Sequence, residues 1–243
     1  MHLEPTAGPL ALVGSGEYLP VMVDVDAGLL AGRPARYVQL ATAAVPDGPD
    51  VVARWHRLGE EQARRLDVEP VILDVASRED AYDDRLVSRV AGAGLVYLSG
   101  GHPAYLANTL RDTPLWAAIV DAWRAGSALA GCSAGAMALT SWIPSLRHPR
   151  RGAEHAGAAA GLGLLAHLRV IPHFDAFAAR MPDVATRFLT PADAGVTLLG
   201  IDEETAIVGG PHEWVVQGRQ SAWRLGAGAR ERLAAGTSFT TPA

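Results

Sequence analysis

A single cysteine, Cys132, in a chain of 243 residues leaves no partner for an internal disulfide and excludes a multi-cysteine metal site. No window reaches about 18 uninterrupted apolar residues, so no transmembrane helix is predicted. The opening MHLEPTAGPLALVG lacks the basic start and long apolar stretch of a signal peptide, and the expectation is a soluble cytoplasmic protein with no membrane partner. Long runs of Lys and Arg are missing too. The densest basic spot, Arg147-His148-Pro149-Arg150-Arg151, reads as a loop, and with a net charge of −5 and a pI near 5.9 no nucleic-acid partner is expected. No H-E-x-x-H or similar ligand spacing occurs, so neither metal nor cofactor is predicted.

What the chain does have is apolar mass. Hydrophobic residues make up 49% and charged residues 19%, enough to bury a large core. The length suits one α/β domain, read here as residues 1–243. Apolar runs of strand length at 9–14, 36–43, 68–75, 94–101, 127–133 and 168–174 alternate with helical spacing at 50–66, 79–91, 114–125 and 175–189. Continuous apolar strands separated by helices predict a mostly parallel central sheet flanked by helices, a three-layer sandwich. From VTLLGID onward, TAIVGG, EWVVQG and SAWRL follow at hairpin spacing and read as antiparallel strands extending or flanking that sheet. The Gly/Ala-rich tract 152–165 reads as a flexible loop and a candidate lid.

The chemistry concentrates at Gly131-Cys132-Ser133-Ala134-Gly135. This fits G-x-S-x-G at a strand-to-helix junction, the context of a nucleophile elbow centred on Ser133. The sharp turn demands small neighbours, which Gly131, Ala134, Gly135 and Ala136 provide. The N–H of Ala134 then points at a developing oxyanion. Cys132 falls on the flank and is expected to pack as a small hydrophobe. Gly101, in Ser99-Gly100-Gly101 at the end of the preceding strand, is the candidate second oxyanion donor. A serine needs a base. Among eight histidines, His173 in VIPHF ends a strand where it can reach the elbow. Two acids compete to orient it. Asp175 lies two residues on, on the same side of an extended chain, and Glu203 lies in Gly200-Ile201-Asp202-Glu203-Glu204-Thr205-Ala206.

Together, LSGG with its following helix, GCSAGA, GLGLL, VIPHF and GIDEETAIV, preceded by VGSGE at 13–17, resemble the cyanophycinase and aspartyl dipeptidase (dipeptidase E) family of serine peptidases. That family has a class I glutamine amidotransferase-like fold. The resemblance implies Ser133 as nucleophile, His173 as base, and Gly101 and Ala134 as the oxyanion hole. It implies Glu203 as the acid on the cyanophycinase side. The amidotransferase pattern keeps Asp175 as rival, and the dipeptidase pattern, with an acid soon after the nucleophile helix, has no carboxylate in SWIPSLRHPRRG. His102-Pro103 stands where relatives carry polar substrate contacts, and Ile171-Pro172 precedes the histidine where cyanophycinases have Asp-Gln. His102, Arg150 and Arg180 are the candidate substrate contacts, the arginines as clamps for an acidic side chain.

The resulting expectation is a serine hydrolase that cleaves a peptide or isopeptide bond in a small, Asp-containing peptide through an acyl-enzyme, possible as a homodimer. The altered substrate loops motivate an alternative, a non-catalytic small-molecule-binding or regulatory domain on the same fold. An α/β-hydrolase esterase would need the order Ser, acid, His, and an amidotransferase would need cysteine at the elbow centre.

Overall fold

The computed structural model describes residues 7–144, 159–180, 195–226 and 228–242. Its strands are β1 (Leu10–Val13), β2 (Arg36–Leu40), β3 (Glu69–Leu73), β4 (Leu95–Leu98), β5 (Ala128–Cys132), β6 (Trp142–Ile143), β7 (Ala159–Ala160), β8 (Leu168–Ile171), β9 (Thr197–Ile201), β10 (Thr205–Gly209), β11 (Glu213–Gly218), β12 (Ser221–Gly226), β13 (Ala229–Ala234) and β14 (Ser238–Thr240). The helices are α1 (Val23–Leu30), α2 (Pro49–Arg65), α3 (Asp84–Ser88), α4 (Pro103–Leu110), α5 (Pro114–Arg124), α6 (Ala134–Leu139) and α7 (Phe174–Arg180). None of the described helices is long and apolar enough to cross a membrane.

Eight strands form the central sheet in the order β14-β11-β10-β1-β5-β4-β2-β3. From β1 to β3 the neighbours are parallel; β10, β11 and β14 extend the sheet antiparallel beyond β1. Successive side chains of each parallel strand point to opposite faces, and both faces are apolar. Leu10, Leu12, Val38, Leu40, Val96, Leu98 and Leu129 share a core with α4, α5 and α6. Ala11, Val13, Tyr37, Leu95, Tyr97, Ala128 and Ala130 face α1 and α2. Burial on two sides is why these strands read as continuous apolar runs.

The C-terminal third makes a second, four-stranded sheet, β13-β12-β9-β8. The strand at 168–171 therefore leaves the main sheet and runs parallel to β9. Helical spacing at 79–91 resolves into a 3₁₀ turn, Asp80–Tyr82, and the short α3. The helix expected at 175–189 is present as α7 up to Arg180; its remainder lies outside the described residues. The tract read as a flexible loop, 152–165, is described only from Ala159, and that part is tied down. Leu162 N–H donates to the Ala138 carbonyl at 2.7 Å and Leu165 N–H to that of Leu139 at 3.0 Å. A Cβ on Gly161 would lie 1.9 Å from the Thr140 carbonyl oxygen, so close packing against α6 accounts for the glycine there.

This topology gathers five chain segments at one end. Val13 is level with Cys132, and Leu98 with Gly131, so the loops after β1, β4 and β5 emerge together. Val13 also pairs with Ala206, which brings the β9–β10 turn alongside. Ile171 pairs with Gly200, so residue 173 arrives beside residues 202–204.

On α1, Asp26 is buried and accepts a 2.8 Å hydrogen bond from Gln62 Nε2 of α2. Burial raises its pKa to about 7, with the Gln62 bond opposing. Between the ordinary carboxylate range and about pH 7 the native state keeps a proton that the unfolded chain has released. Stability contributed by the protonated form is therefore lost as pH rises through that window, by roughly 1.4 kcal/mol per pH unit. Asp26→Asn removes this loss. In urea unfolding the variant is expected to match the wild type near pH 4 and to exceed it at pH 8; an offset equal at both pH values would refute the assignment.

Candidate active site

At the end of β5 the chain reverses into α6 within one residue. Ser133 takes φ 49° and ψ −103°, a conformation that costs a non-glycine residue about 1–3 kcal/mol. Its N–H donates to the Val13 carbonyl at 2.9 Å, and its own carbonyl accepts from Met137 N–H at 3.1 Å, which anchors the turn on both sides. The neighbours have no room for side chains. A Cβ on Gly131 would lie 2.5 Å from the Gly135 backbone, and one on Gly135 would lie 2.2 Å from the Leu98 carbonyl oxygen.

His173 follows β8 with φ 49° and meets Ser133. Its Nε2 is 3.0 Å from Ser133 Oγ, and its Nδ1 is 2.8 Å from Glu203 Oε1. The His173 and Glu203 side chains are each 42% exposed, so the pair is open to a ligand rather than sealed in the core. Asp175 makes no hydrogen bond to His173. The positive φ of His173 ends the extended chain, α7 begins at once, and the two-residue same-side relation is lost. Asp175 instead accepts the N–H of Glu203 at 3.0 Å through Oδ1, and Gln220 Nε2 at 3.1 Å through Oδ2. Gln220 Nε2 also donates to the Glu203 carbonyl at 3.1 Å. The rival acid is thus a support for the backbone of Glu203.

The three successive carboxylates have different surroundings. Asp202 is buried and accepts from Trp223 Nε1 at 2.9 Å. Burial raises its pKa, and the Trp223 bond acts against that. Glu203 faces His173. Glu204 pairs with Arg219 at 2.9 Å, and its N–H donates to the Ser15 carbonyl at 3.1 Å.

Gly101 has φ 139°, and a Cβ there would lie 2.3 Å from the Ala43 carbonyl oxygen. Among the described residues the N–H groups of Gly101 and Ala134 have no acceptor. His102 is hydrogen-bonded through Nε2 to Asp47 at 2.8 Å and lines a cavity of about 780 Å³ beside Ser133 and His173, with Tyr105, Ile143 and Phe177. A second cavity of about 440 Å³ opens on the other side, where Glu17, Tyr18, Arg54 and Trp55 join Gly101, Ser133 and His173. Arg180 is exposed at the end of α7 and lines neither cavity; Arg150 lies outside the described residues. A hollow of about 770 Å³ at the opposite ends of the strands, lined by Arg33, Val90 and Ser127, holds none of these groups. No cluster of three or more His, Cys, Asp or Glu converges as a metal site among the described residues.

Glu17, Gln220 and Arg54 are among the residues here that the sequence motifs do not mark as part of the site. Glu17 was visible only as the acid of VGSGE. Gln220 carried no signal. Arg54 falls on α2 between the apolar positions Val52 and Trp55, where it reads as an ordinary solvated side chain.

A model of peptidase family S51 matches residues 42–213, more than half of the chain. The chain belongs to peptidase family S51. Within that family it is similar to the cyanophycinases of Nostoc sp. and Trichormus variabilis, each 28% identical over 184 residues. The match covers 73% of this chain but 59% of either cyanophycinase, so the chain spans less than two thirds of their length. A crystal structure of a peptidase from an acI-B1 Actinobacterium is 39% identical and superposes with a TM-score of 0.86 over 98% of both chains. A putative peptidase E protein of Listeria monocytogenes EGD-e, 17% identical, superposes with a TM-score of 0.65 over 88% of this S51 chain and 100% of its own, a likeness of fold alone.

The strain at Ser133 has a direct test in this S51 chain. Glycine adopts positive φ freely, whereas at an unstrained position it is less stable than alanine by about 0.5–1 kcal/mol. Ser133→Gly is expected to equal or exceed Ser133→Ala in urea unfolding. A clear deficit for the glycine variant would mean that the turn is relaxed.

Proposed function

We propose that the chain is a serine peptidase that cleaves a peptide or isopeptide bond in a small, Asp-containing peptide through an acyl-enzyme on Ser133. The observation that carries this reading is the unbroken relay from Ser133 Oγ to His173 Nε2 at 3.0 Å and from His173 Nδ1 to Glu203 at 2.8 Å. The alternative of a non-catalytic binding domain leaves that alignment without a purpose.

In this mechanism His173 Nε2 takes the Ser133 hydroxyl proton as Oγ adds to the scissile carbonyl. Glu203 fixes the imidazole with Nδ1–H toward itself and stabilises the imidazolium. The tetrahedral oxyanion is held by the free N–H groups of Gly101 and Ala134. His173 returns the proton to the leaving amine, leaving Ser133 as an ester. Water, deprotonated by the same imidazole, releases the acid. Arg54, which lines the 440 Å³ cavity, supports an acidic group on the substrate, since a guanidinium pairs with a carboxylate in bidentate fashion. Among the described arginines it is the one that lines a cavity shared with Ser133 and His173.

A panel of α- and β-linked Asp dipeptides, followed by mass spectrometry, tests the reading. Ser133→Ala and His173→Ala are expected to lose about 10³-fold or more in kcat. Glu203→Gln should fall by about 10³–10⁴. Asp175→Asn, acting only through the backbone of Glu203, should fall far less. Equal cleavage by wild type and Ser133→Ala would exclude Ser133 as nucleophile.

A further inference from the structure

Glu17 is a buried acidic side chain at this end of the sheet that the relay does not use. It is 4% exposed and forms no ion pair among the described residues. A carboxylate removed from water in this way is costly unless its oxygens are satisfied. Its two partners are telling. Oε1 accepts the N–H of Gly100 at 3.3 Å, and Oε2 accepts the Cys132 thiol at 2.9 Å. Gly100 immediately precedes Gly101. Cys132 immediately precedes Ser133, with Ala134 next. One side chain therefore bridges the two backbone segments that carry the Gly101 and Ala134 N–H groups, which have no acceptor among the described residues.

The rest of its loop reinforces the bridge. Tyr18 OH is 2.8 Å from Ser99 Oγ, and Gln39 Nε2 donates to both oxygens at 2.9 and 3.0 Å. The neighbouring Ser15 carbonyl accepts the N–H of Glu204. Residues 15–18 thus grip the glycine loop after β4, the elbow after β5 and the turn that carries Glu203.

We propose that Glu17 is a positioning residue that sets the separation of the Gly101 and Ala134 N–H groups, and so the fit of the oxyanion hole to the tetrahedral state. The proposal rests on the serine-peptidase reading of Ser133. A hole that is displaced by a fraction of an ångström binds the ground-state carbonyl nearly as well but loses affinity for the tetrahedral oxyanion.

Glu17→Gln keeps the volume of the side chain and breaks the symmetric acceptor pair. It is expected to lower kcat about ten- to a hundredfold with KM within about twofold, the pattern of an interaction made only in the transition state. The inhibition constant of a peptide aldehyde, which forms a tetrahedral adduct, should rise by the same factor. If Glu17→Gln does not fold, Glu17→Asp, one methylene too short to span both partners, is the substitute and carries the same expectation. An unchanged kcat, or a loss residing wholly in KM, would overturn the proposal. Amide resonances in ¹⁵N-labelled protein separate it from the peptidase reading. The Gly101 and Ala134 signals should both move in the variant whether or not the wild type turns over a peptide, and stationary signals would refute the brace by themselves.

Discussion

Everything at this end of the molecule depends on one backbone reversal. The chain leaves β5 and enters α6 through a single residue, Ser133, at positive φ. A turn that tight brings the first turn of the helix against the strand and against the carbonyl of Leu98. Gly131 and Gly135 are therefore required by space, and the central side chain is left pointing away from the sheet. The strain is carried by the packed sheet beneath, where β1, β4 and β5 end nearly level. The same register that buries the strands on both faces delivers the loops after them to one place.

Around that point the protein separates its acids by environment. Asp202 is drawn inward by Trp223, Glu203 is directed at His173, and Glu204 is held by Arg219. Asp175 and Gln220 clasp the backbone of Glu203, so the carboxylate facing the imidazole is fixed by its main chain as well as by its tip. Glu17 plays the corresponding part on the other side of the serine, beneath the glycine loop and the elbow.

Much of this was legible in the residues. The continuous apolar runs announced a parallel sheet buried on both faces, and GCSAGA at a strand-to-helix junction announced the sharp turn. The chemistry of a turn is local, so a few adjacent residues carry it. The relation of His173 to its acid is not local. A two-residue spacing favoured Asp175 only as long as the chain stayed extended, and the positive φ of His173 removes that premise. Gln220 and Glu17 act across 17 and 115 residues respectively, and no periodicity marks such partners. The strand at 168–171 joined the second sheet for a similar reason: its apolar pattern specifies burial but not which neighbour provides it.

The central claim is that Ser133 is a nucleophile activated by His173. It is tested most directly by brief exposure of the purified protein to a fluorophosphonate, followed by peptide mapping by mass spectrometry. The account predicts a single covalent adduct on Ser133, formed far more slowly in His173→Gln. An adduct on another residue, an unlabelled Ser133, or labelling at the same rate in the histidine variant would contradict it.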